Sequence, residues 1–211
     1  MTSNSILPNG ENKLLFYNIR NVPKFIDPEI NRSFNIGVNS LLLMKLESNK
    51  EILLCACKKY LKNEENGIVI IDPETIGKNE IYSSFFDTRD FEVSCFCPIT
   101  KKDNSKILST NYFLVGGFDS ERREGMIKLY KVINTSDKSD KFSCVLEFLQ
   151  DIVIEKTNDF NGFMGTVNCM ILTKSKRDLI VSCWDGNVYC FSEPNISDYL
   201  EENNSFDSFD S

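Results

Sequence analysis

Apolar residues along the chain fall into short runs typical of β-strands, and the clearest pair meets at a turn. Leu179 to Trp184 is rich in strand-forming residues, and Val188 to Phe191 resumes that character directly after Asp185-Gly186. Because this dipeptide tolerates positive φ, the two runs predict a β-hairpin. The same construction predicts two hairpins upstream, Ile52 to Cys57 followed by Gly67 to Ile71, and Tyr112 to Phe118 followed by Gly125 to Tyr130.

Three glycines, Gly67, Gly125 and Gly186, precede the second strand of each predicted hairpin, and we align them as equivalent positions. The residues two and four positions after each glycine are apolar, which predicts one apolar face on every second strand. These residues are Val69 and Ile71, Ile127 and Leu129, and Val188 and Cys190.

A further strand is predicted before each hairpin, because three segments share the pattern valine, small polar, small, then apolar. Three units with strands in one order indicate an internal repeat. Successive valines are 55 and then 74 residues apart, longer than the roughly 40 to 50 of regular propeller repeats. The excess lies in polar loops. The segments are Val38 to Leu43, Val93 to Pro98 and Val167 to Leu172, and the candidate fourth strands are Glu80 to Phe86 and Phe142 to Phe148.

We therefore expect an all-β fold, a partial β-propeller of about three WD-like blades built as antiparallel meanders. The predicted blades cover about 36–90, 91–160 and 162–192 within a region 13–192, in which Lys13 to Arg20 could close an earlier unit. Residues 1–12 are expected to be mobile and 193–211 to form an acidic tail, either an unstructured end or an aromatic docking peptide. Three blades do not close a propeller. The chain is then a fragment, is completed by a partner, or has further blades in its long loops.

Composition narrows the function. The 211 residues are 41% apolar, with no run of the roughly 18 residues that a membrane span needs and no export signal, so we expect a soluble intracellular protein without membrane partners. In that setting the eight cysteines are expected to be reduced. A net charge of −7 argues against a broad nucleic-acid-binding face, leaving weak or indirect contact.

Catalytic chemistry finds little support. The chain has no histidine, no P-loop and no Gly-x-Gly-x-x-Gly, so we predict no enzyme, no catalytic residues, no cofactor, no metal and no small-molecule substrate. Two pairs, Cys55 with Cys57 and Cys95 with Cys97, could share a metal or form a redox couple, but their strand placement favours core packing. Trp184-Asp185 is not the WD signature, because Phe191-Ser192 occupies that place. Asp185 instead matches the aspartate that tightens the preceding turn.

The order of motifs YFLVGGF, polar loop, GMIKLYKV, GTVNCM and LIVSCWDGNVYCF, preceded by GIVIIDPET, resembles one family of multi-propeller scaffolds. It comprises the large subunits of cleavage and polyadenylation specificity factor and of splicing factor 3b, and damaged-DNA-binding protein 1. Their C-terminal propeller is similar in features that fall here on Val115-Gly116, Asp119 to Glu124, Gly125 to Tyr130 and Gly165-Thr166-Val167. The resemblance covers about Ile68 to Ser192; family members are several times longer, and no partner-binding residue is transferred.

The resemblance implies a non-catalytic interaction scaffold, nuclear, in an RNA-processing or cullin-linked ubiquitination complex, with protein subunits as partners. The alternative is a standalone WD-like propeller adaptor in the cytoplasm. An enzyme is a third class that would need thiolate or carboxylate chemistry. The candidate partner-contact loop, which plain solvation also explains, consists of Asp119, Ser120, Glu121, Arg122, Arg123 and Glu124.

Overall fold

The computed structural model describes residues 2–6, 12–16, 30–34, 37–58, 66–75, 83–103, 106–134, 144–152, 165–173 and 178–192. Apart from a short 3-10 helix at Pro73–Thr75, every regular element in these ranges is a β-strand. The strands are β1 (Thr2–Ile6), β2 (Asn12–Phe16), β3 (Ile30–Phe34), β4 (Gly37–Lys45), β5 (Glu51–Lys58), β6 (Asn66–Ile71), β7 (Ser83–Arg89), β8 (Phe91–Asp103), β9 (Lys106–Asp119), β10 (Glu124–Asn134), β11 (Cys144–Asp151), β12 (Val167–Leu172), β13 (Asp178–Cys183) and β14 (Val188–Ser192).

The strands form four separate sheets, and in each sheet the strands follow one another in chain order as antiparallel meanders. Strands β1 to β3 form the first sheet; we name the others sheet I (β4–β7), sheet II (β8–β11) and sheet III (β12–β14). None of the four closes on itself. The all-β class and the antiparallel meanders are thus confirmed, and strands β7 and β11 supply the fourth strands expected in the first two units.

Sheets I, II and III share a β-bulge at one position of their first strand. In sheet II, Val93 lies opposite Gly117 and Cys95 opposite Gly116, so Ser94 has no residue across from it. An extra residue of this kind bends the strand and increases its twist. The same shift skips Asn39 in sheet I and Asn168 in sheet III. The repeated valine, small polar, small pattern is therefore the sequence of a bulge.

Pairing register corrects the glycine alignment by one residue in the first unit. Gly67 lies opposite Cys57, beside the bulge valine, whereas Gly125 lies opposite Phe118, one position further toward the turn. The true counterpart of Gly67 in sheet II is Met126, which faces Gly117. Gly67 is small for another reason, since a Cβ there would lie 2.3 Å from the Phe85 ring.

The sheets stack face to face, and the first strand of sheet II lies between those of its neighbours. Strand β8 packs against β4 on one side and β12 on the other. Asn39 Nδ2 donates to the Val93 carbonyl at 3.1 Å, and the Cys95 thiol donates to the Val167 carbonyl at 3.6 Å. The bulge region of each sheet thus contacts the bulge valine of the next.

Buried apolar residues fill both junctions. Junction I/II combines residues from sheets I and II, and junction II/III does the same for sheets II and III, while a third cluster covers the opposite face of sheet I. Junction I/II contains Met44, Leu46, Ile52, Leu54, Ala56, Ile68, Ile70, Phe91, Val93, Phe113, Val115, Met126, Tyr130, Val132, Cys144 and Leu146. Junction II/III contains Cys95, Cys97, Ile99, Tyr112, Leu114, Ile127, Leu129, Ile152, Val167, Met170, Leu179, Val181 and Cys183. The third cluster contains Leu53, Cys55, Cys57, Val69 and Ile71.

Several predictions fall on residues outside the described ranges. These include the acidic tail 193–211, the loops 59–65 and 135–143, and residues 17–20 of the expected closing strand, whose earlier part lies in β2. Strand β1 lies inside the segment 1–12. Within the described ranges no helix is long and apolar enough to cross a membrane.

Candidate interaction surface

Two turns lie at the same end of sheets II and III, which we name the hairpin end. The turn Asp119–Glu124 links β9 to β10, and the turn Trp184–Asn187 links β13 to β14. The bulge valines Val93 and Val167 lie near the start of adjacent first strands, and each pairs with a residue near the end of the second strand. Both turns therefore project from one edge of the stack. The hairpin end includes the predicted contact loop and the tryptophan.

Asp119 organises the predicted contact loop from inside. Its side chain is buried, and Oδ1 accepts hydrogen bonds from the backbone N–H groups of Glu121 at 3.1 Å and Arg122 at 2.9 Å. The next residue, Ser120, donates both its N–H and its hydroxyl to the Asp90 carbonyl at 2.9 Å. An aspartate that binds backbone N–H groups ahead of it is a common way to fix a turn.

Charged groups brace the base of this loop. Lys128 Nζ lies 3.7 Å from Asp119 Oδ2 and 4.4 Å from the centroid of the Phe91 ring, so it combines an ion pair with a cation–π contact. Arg122 donates to Asp151 Oδ2 at 3.1 Å, and this hydrogen bond raises the pKa of the guanidinium. Asp119 is thus anchored in the interior and Arg122 is held at the surface.

The remaining loop residues differ in their exposure to solvent. Ser120, Glu121 and Arg123 are exposed, and Glu124 is partly buried at the start of β10. Arg123 has φ of 57°, a left-handed conformation that closes the turn at some conformational cost. Glu121 and Arg123 therefore offer opposite charges to solvent from a fixed backbone.

Trp184 is the most exposed large apolar side chain in the described ranges, with 75% of its surface open to solvent. Its backbone is nevertheless fixed, because its N–H donates to the Thr166 carbonyl at 3.0 Å. The turn closes through Cys183, whose N–H donates to the Asn187 carbonyl at 3.2 Å, and Gly186 supplies a φ of 83°. A rigid backbone thus presents an unburied indole.

Asp185 tightens this turn, as its sequence position predicts. Its Oδ1 accepts a hydrogen bond from the Asn187 N–H at 2.9 Å, and its Oδ2 accepts one from the Tyr189 hydroxyl. The tyrosine bond is the main reason why the pKa of Asp185 lies below its usual value, and the same bond raises the pKa of Tyr189. The carboxylate is therefore held ionised as a structural group.

One face of sheet III has no sheet against it in the described structure. Strand pairing places two rows of three residues on this side, and we name it the open face. Ile171 is 58% exposed and Val188 is 69% exposed, so the face is apolar and unburied. The rows are Cys169, Ser182 and Val188, and Ile171, Ile180 and Cys190.

The cysteine pairs lie in apolar surroundings. Cys55 and Cys57 belong to the cluster on the far face of sheet I, and Cys95 and Cys97 to junction II/III. Burial raises the pKa of Cys57 and of Cys95 to about 12, and it raises that of Cys55 further, so these thiols stay protonated at neutral pH. All eight cysteines are free, and no group of three potential metal-binding side chains occurs in the described part of the chain.

Sequence reasoning placed a contact loop at the hairpin end but missed the exposure of Trp184 and the open face. The sequence pattern predicts Trp184 as the last residue of a strand and not as a WD signature, and neither prediction concerns its exposure. The open face could have been found from the repeat, because the first two units each have a successor to pack against and the third unit has none within the predicted region. Ile180 and Cys190 belong to strand runs that are apolar on both faces. Without a following unit, the face on which these two residues lie has no sheet to pack against.

No protein-family model, no curated protein and no solved structure matches the chain. The resemblance to the multi-propeller scaffolds therefore stays a prediction from the sequence motifs.

Proposed function

We propose that the chain is a non-catalytic protein-interaction scaffold, in which sheets I, II and III act as consecutive blades of a partial β-propeller. Support comes from the repeated meander order, from the face-to-face stacking, and from the first strands, which lie side by side across both junctions. In a propeller the first strands surround the central axis and the blades radiate from it. Such a framework holds its turns in fixed positions.

Trp184 is the observation on which this function depends. Tryptophan is enriched among the residues that dominate protein interfaces, because one rigid side chain supplies a large contact area at low entropic cost. At 75% exposure it gains little from the folded chain itself, yet Asp185 and Tyr189 hold its turn in place. An exposed anchor on an ordered backbone is what a docking surface needs.

The polar loop next to it provides the rim. Glu121 and Arg123 present opposite charges, and rim charges contribute to orientation and association rate more than to affinity. The buried thiols have raised pKa values and are poor nucleophiles, which is consistent with a binding role. Protein subunits of a larger complex are the proposed partners.

The resemblance supplies the cellular setting in this proposal, a nuclear RNA-processing or cullin-linked ubiquitin-ligase assembly. An endogenously tagged copy is purified, and the proteins recovered with it are identified by mass spectrometry. Subunits of polyadenylation, splicing or cullin-ligase complexes support that setting. Recovery of the folded chain without any of them contradicts the setting and favours an independent propeller adaptor.

The contact surface is tested by substitution in the same purification. Replacement of an interface tryptophan by alanine commonly costs at least about 2 kcal/mol, so Trp184→Ala should weaken partner recovery roughly 30-fold. The double charge reversal Glu121→Lys with Arg123→Glu should weaken recovery less and make it more sensitive to salt. Both changes leave the anchoring bonds of Asp119 intact.

Val145→Ala is the matched control, because Val145 is also an exposed apolar residue, 49% open, but lies in β11 away from the hairpin end. It should leave partner recovery unchanged. If Trp184→Ala recovers the same partners in the same amounts as the unaltered chain, the proposed docking role of the hairpin end is wrong.

A further inference from the structure

The open face occupies the same repeat positions that face the next sheet in the rest of the stack. Residues of sheets II and III can be aligned by counting strand pairs from the bulge in each sheet. The row Cys169, Ser182 and Val188 then matches a buried row in sheet II, and the row Ile171, Ile180 and Cys190 matches the following buried row. In sheet II the two rows are Cys95, Gly116 and Ile127, and Cys97, Leu114 and Leu129. In sheet I they are Ser40, Ala56 and Ile68, and Leu42, Leu54 and Ile70.

Both sets of counterparts are covered by the next sheet. Leu54 and Leu114, the counterparts of Ile180, are fully buried in junctions I/II and II/III. In junction II/III the covering sheet makes its first contact through its bulge valine, Val167. A Cβ on Gly116 of sheet II would lie 2.6 Å from Val167 Cγ1. Junctions I/II and II/III thus show which structure fits against these positions. In both it is an apolar β-meander whose first strand begins over the bulge of the preceding sheet.

We propose that the open face of sheet III binds an antiparallel β-meander of a partner protein, which stacks on it as sheet III stacks on sheet II. This inference rests on the proposed scaffold function and names the site and the class of partner. The exposed bulge residues Asn168 and Cys169 match Asn39 and Cys95, which donate hydrogen bonds across the two existing junctions. They would bind a carbonyl at the start of the partner's first strand.

The size of the face argues against a second copy of this chain as the occupant. Two rows of side chains across three strands cover about 200 Å², from a strand spacing of roughly 4.8 Å and a rise of roughly 3.4 Å per residue. A stable interface buries about 800 Å² per partner, so two open faces meeting each other would fall well short. The apolar face of sheet I that packs away from sheet II, which includes Cys55 and Cys57, is already buried in each copy.

A separate partner can extend beyond the meander to the adjacent tryptophan. Trp184 follows the last residue of β13 and Val188 opens β14, so the hairpin end and the open face are continuous. A partner that covers both buries more surface than the open face alone offers. This continuity is the reason for assigning both contacts to one partner.

A photo-crosslinker tests the occupant directly. The full chain carries p-benzoylphenylalanine in place of Cys190, which is exposed on β14, the outer strand of the open face, and is irradiated in cell extract. We expect the cross-linked peptide to belong to another protein and to lie in one of its β-strands. Val188→Lys, a change at a 69% exposed position, should reduce this cross-link at least tenfold, while Glu147→Lys on the exposed side of β11 should not.

Cross-links to a helix or loop of the partner, to a differently tagged second copy, to another segment of the same chain, or to nothing would overturn the proposal. The two proposals fail differently. If Trp184→Ala removes partners and Val188→Lys removes none, the open face has no such role and the scaffold function stands. If neither change removes any partner, both proposed contact surfaces, the hairpin end and the open face, are wrong. An unchanged circular dichroism spectrum of Val188→Lys verifies that the fold is intact.

Discussion

Three equivalent positions in the second strands provide a direct test of the stacked arrangement. Leu54, Leu114 and Ile180 occupy the same place in sheets I, II and III, by the register counted from each bulge. The first two are fully buried between sheets, and Ile180 lies on the open face. Truncation of all three to alanine compares one site in covered and uncovered settings.

The expected costs differ by a clear margin. Leucine-to-alanine changes in tightly packed cores cost about 2 to 5 kcal/mol, so about 3 kcal/mol is expected for Leu54→Ala and for Leu114→Ala. For a chain of this size that corresponds to a fall in melting temperature of roughly 6 to 12 °C. Ile180 is only partly buried, so Ile180→Ala loses about half of the transfer term, about 1 kcal/mol.

Urea denaturation, followed by the tyrosine and tryptophan fluorescence and by circular dichroism, measures all three free energies of unfolding. The slope against urea should be similar in all variants, which shows that the differences lie in stability. An Ile180→Ala cost equal to that of Leu114→Ala would mean that the open face is covered in the isolated chain. A Leu114→Ala cost below about 1 kcal/mol would refute the packing of sheet II on sheet III.

Three further predictions address the bulge, the thiols and the tryptophan turn. Gly117→Ala should destabilise the chain by about 1 to 3 kcal/mol in thermal unfolding, because its Cβ would meet the Glu92 carbonyl oxygen at 2.1 Å; a neutral effect would contradict the bulge geometry. Only Cys169 and Cys190 should react rapidly with a thiol reagent at pH 8. Burial raises the folded pKa of Cys57 and Cys95 from 9.0 to about 12, so these two thiols contribute fully to the free energy of unfolding below pH 9. That free energy should fall by about 1.4 kcal/mol per pH unit per thiol as pH rises from 9 toward 12. Asp185→Ala should speed hydrogen exchange at the Asn187 N–H, because it removes the carboxylate that accepts the hydrogen bond from this group. In the unaltered chain that hydrogen bond should weaken as pH falls through the lowered pKa of Asp185. Exchange that is unchanged by the substitution would show that the carboxylate does not hold the turn.

The strand order and the repeat were predictable because they follow from local pattern. Alternating apolar residues, turn dipeptides and the recurring valine motif each act within a few residues, and they located the three meanders and the two fourth strands. The glycine alignment failed in the first unit because Gly67 and Gly186 are glycines for different reasons. Gly186 needs a positive φ, whereas Gly67 makes room for Phe85 from the neighbouring strand. The residue type alone does not show whether a glycine is needed for its backbone conformation or for the space that it leaves to a neighbour.

In the candidate site too, features set by neighbouring residues were predictable from the sequence and features set by strand pairing were not. Asp185 is predictable from its position in the repeat, where it matches the aspartate that tightens the preceding turn. The structure supplies the reason, since the carboxylate accepts a hydrogen bond from a backbone N–H two residues away. Asp119 looked like one more solvated acid in a polar loop, yet it is buried, and the residue that pairs with it across the hairpin, Lys128, lies nine positions further on. The polarity of the loop was visible in the sequence, but which of its charges face inward depends on strand pairing.

The bulge connects these observations to the proposed binding mode. At each bulge the paired strand carries small residues, so the first strand of the following sheet can approach closely, as Val167 does over Gly116. Sheet III has this arrangement too, with Ser182 opposite Cys169 beside the skipped Asn168. A small residue at position 182 does little for a face that meets only water, whereas it leaves room for an incoming strand in the way that Gly116 does. The third unit thus retains the packing features of a sheet with a neighbour, and this is the physical reason to expect one there.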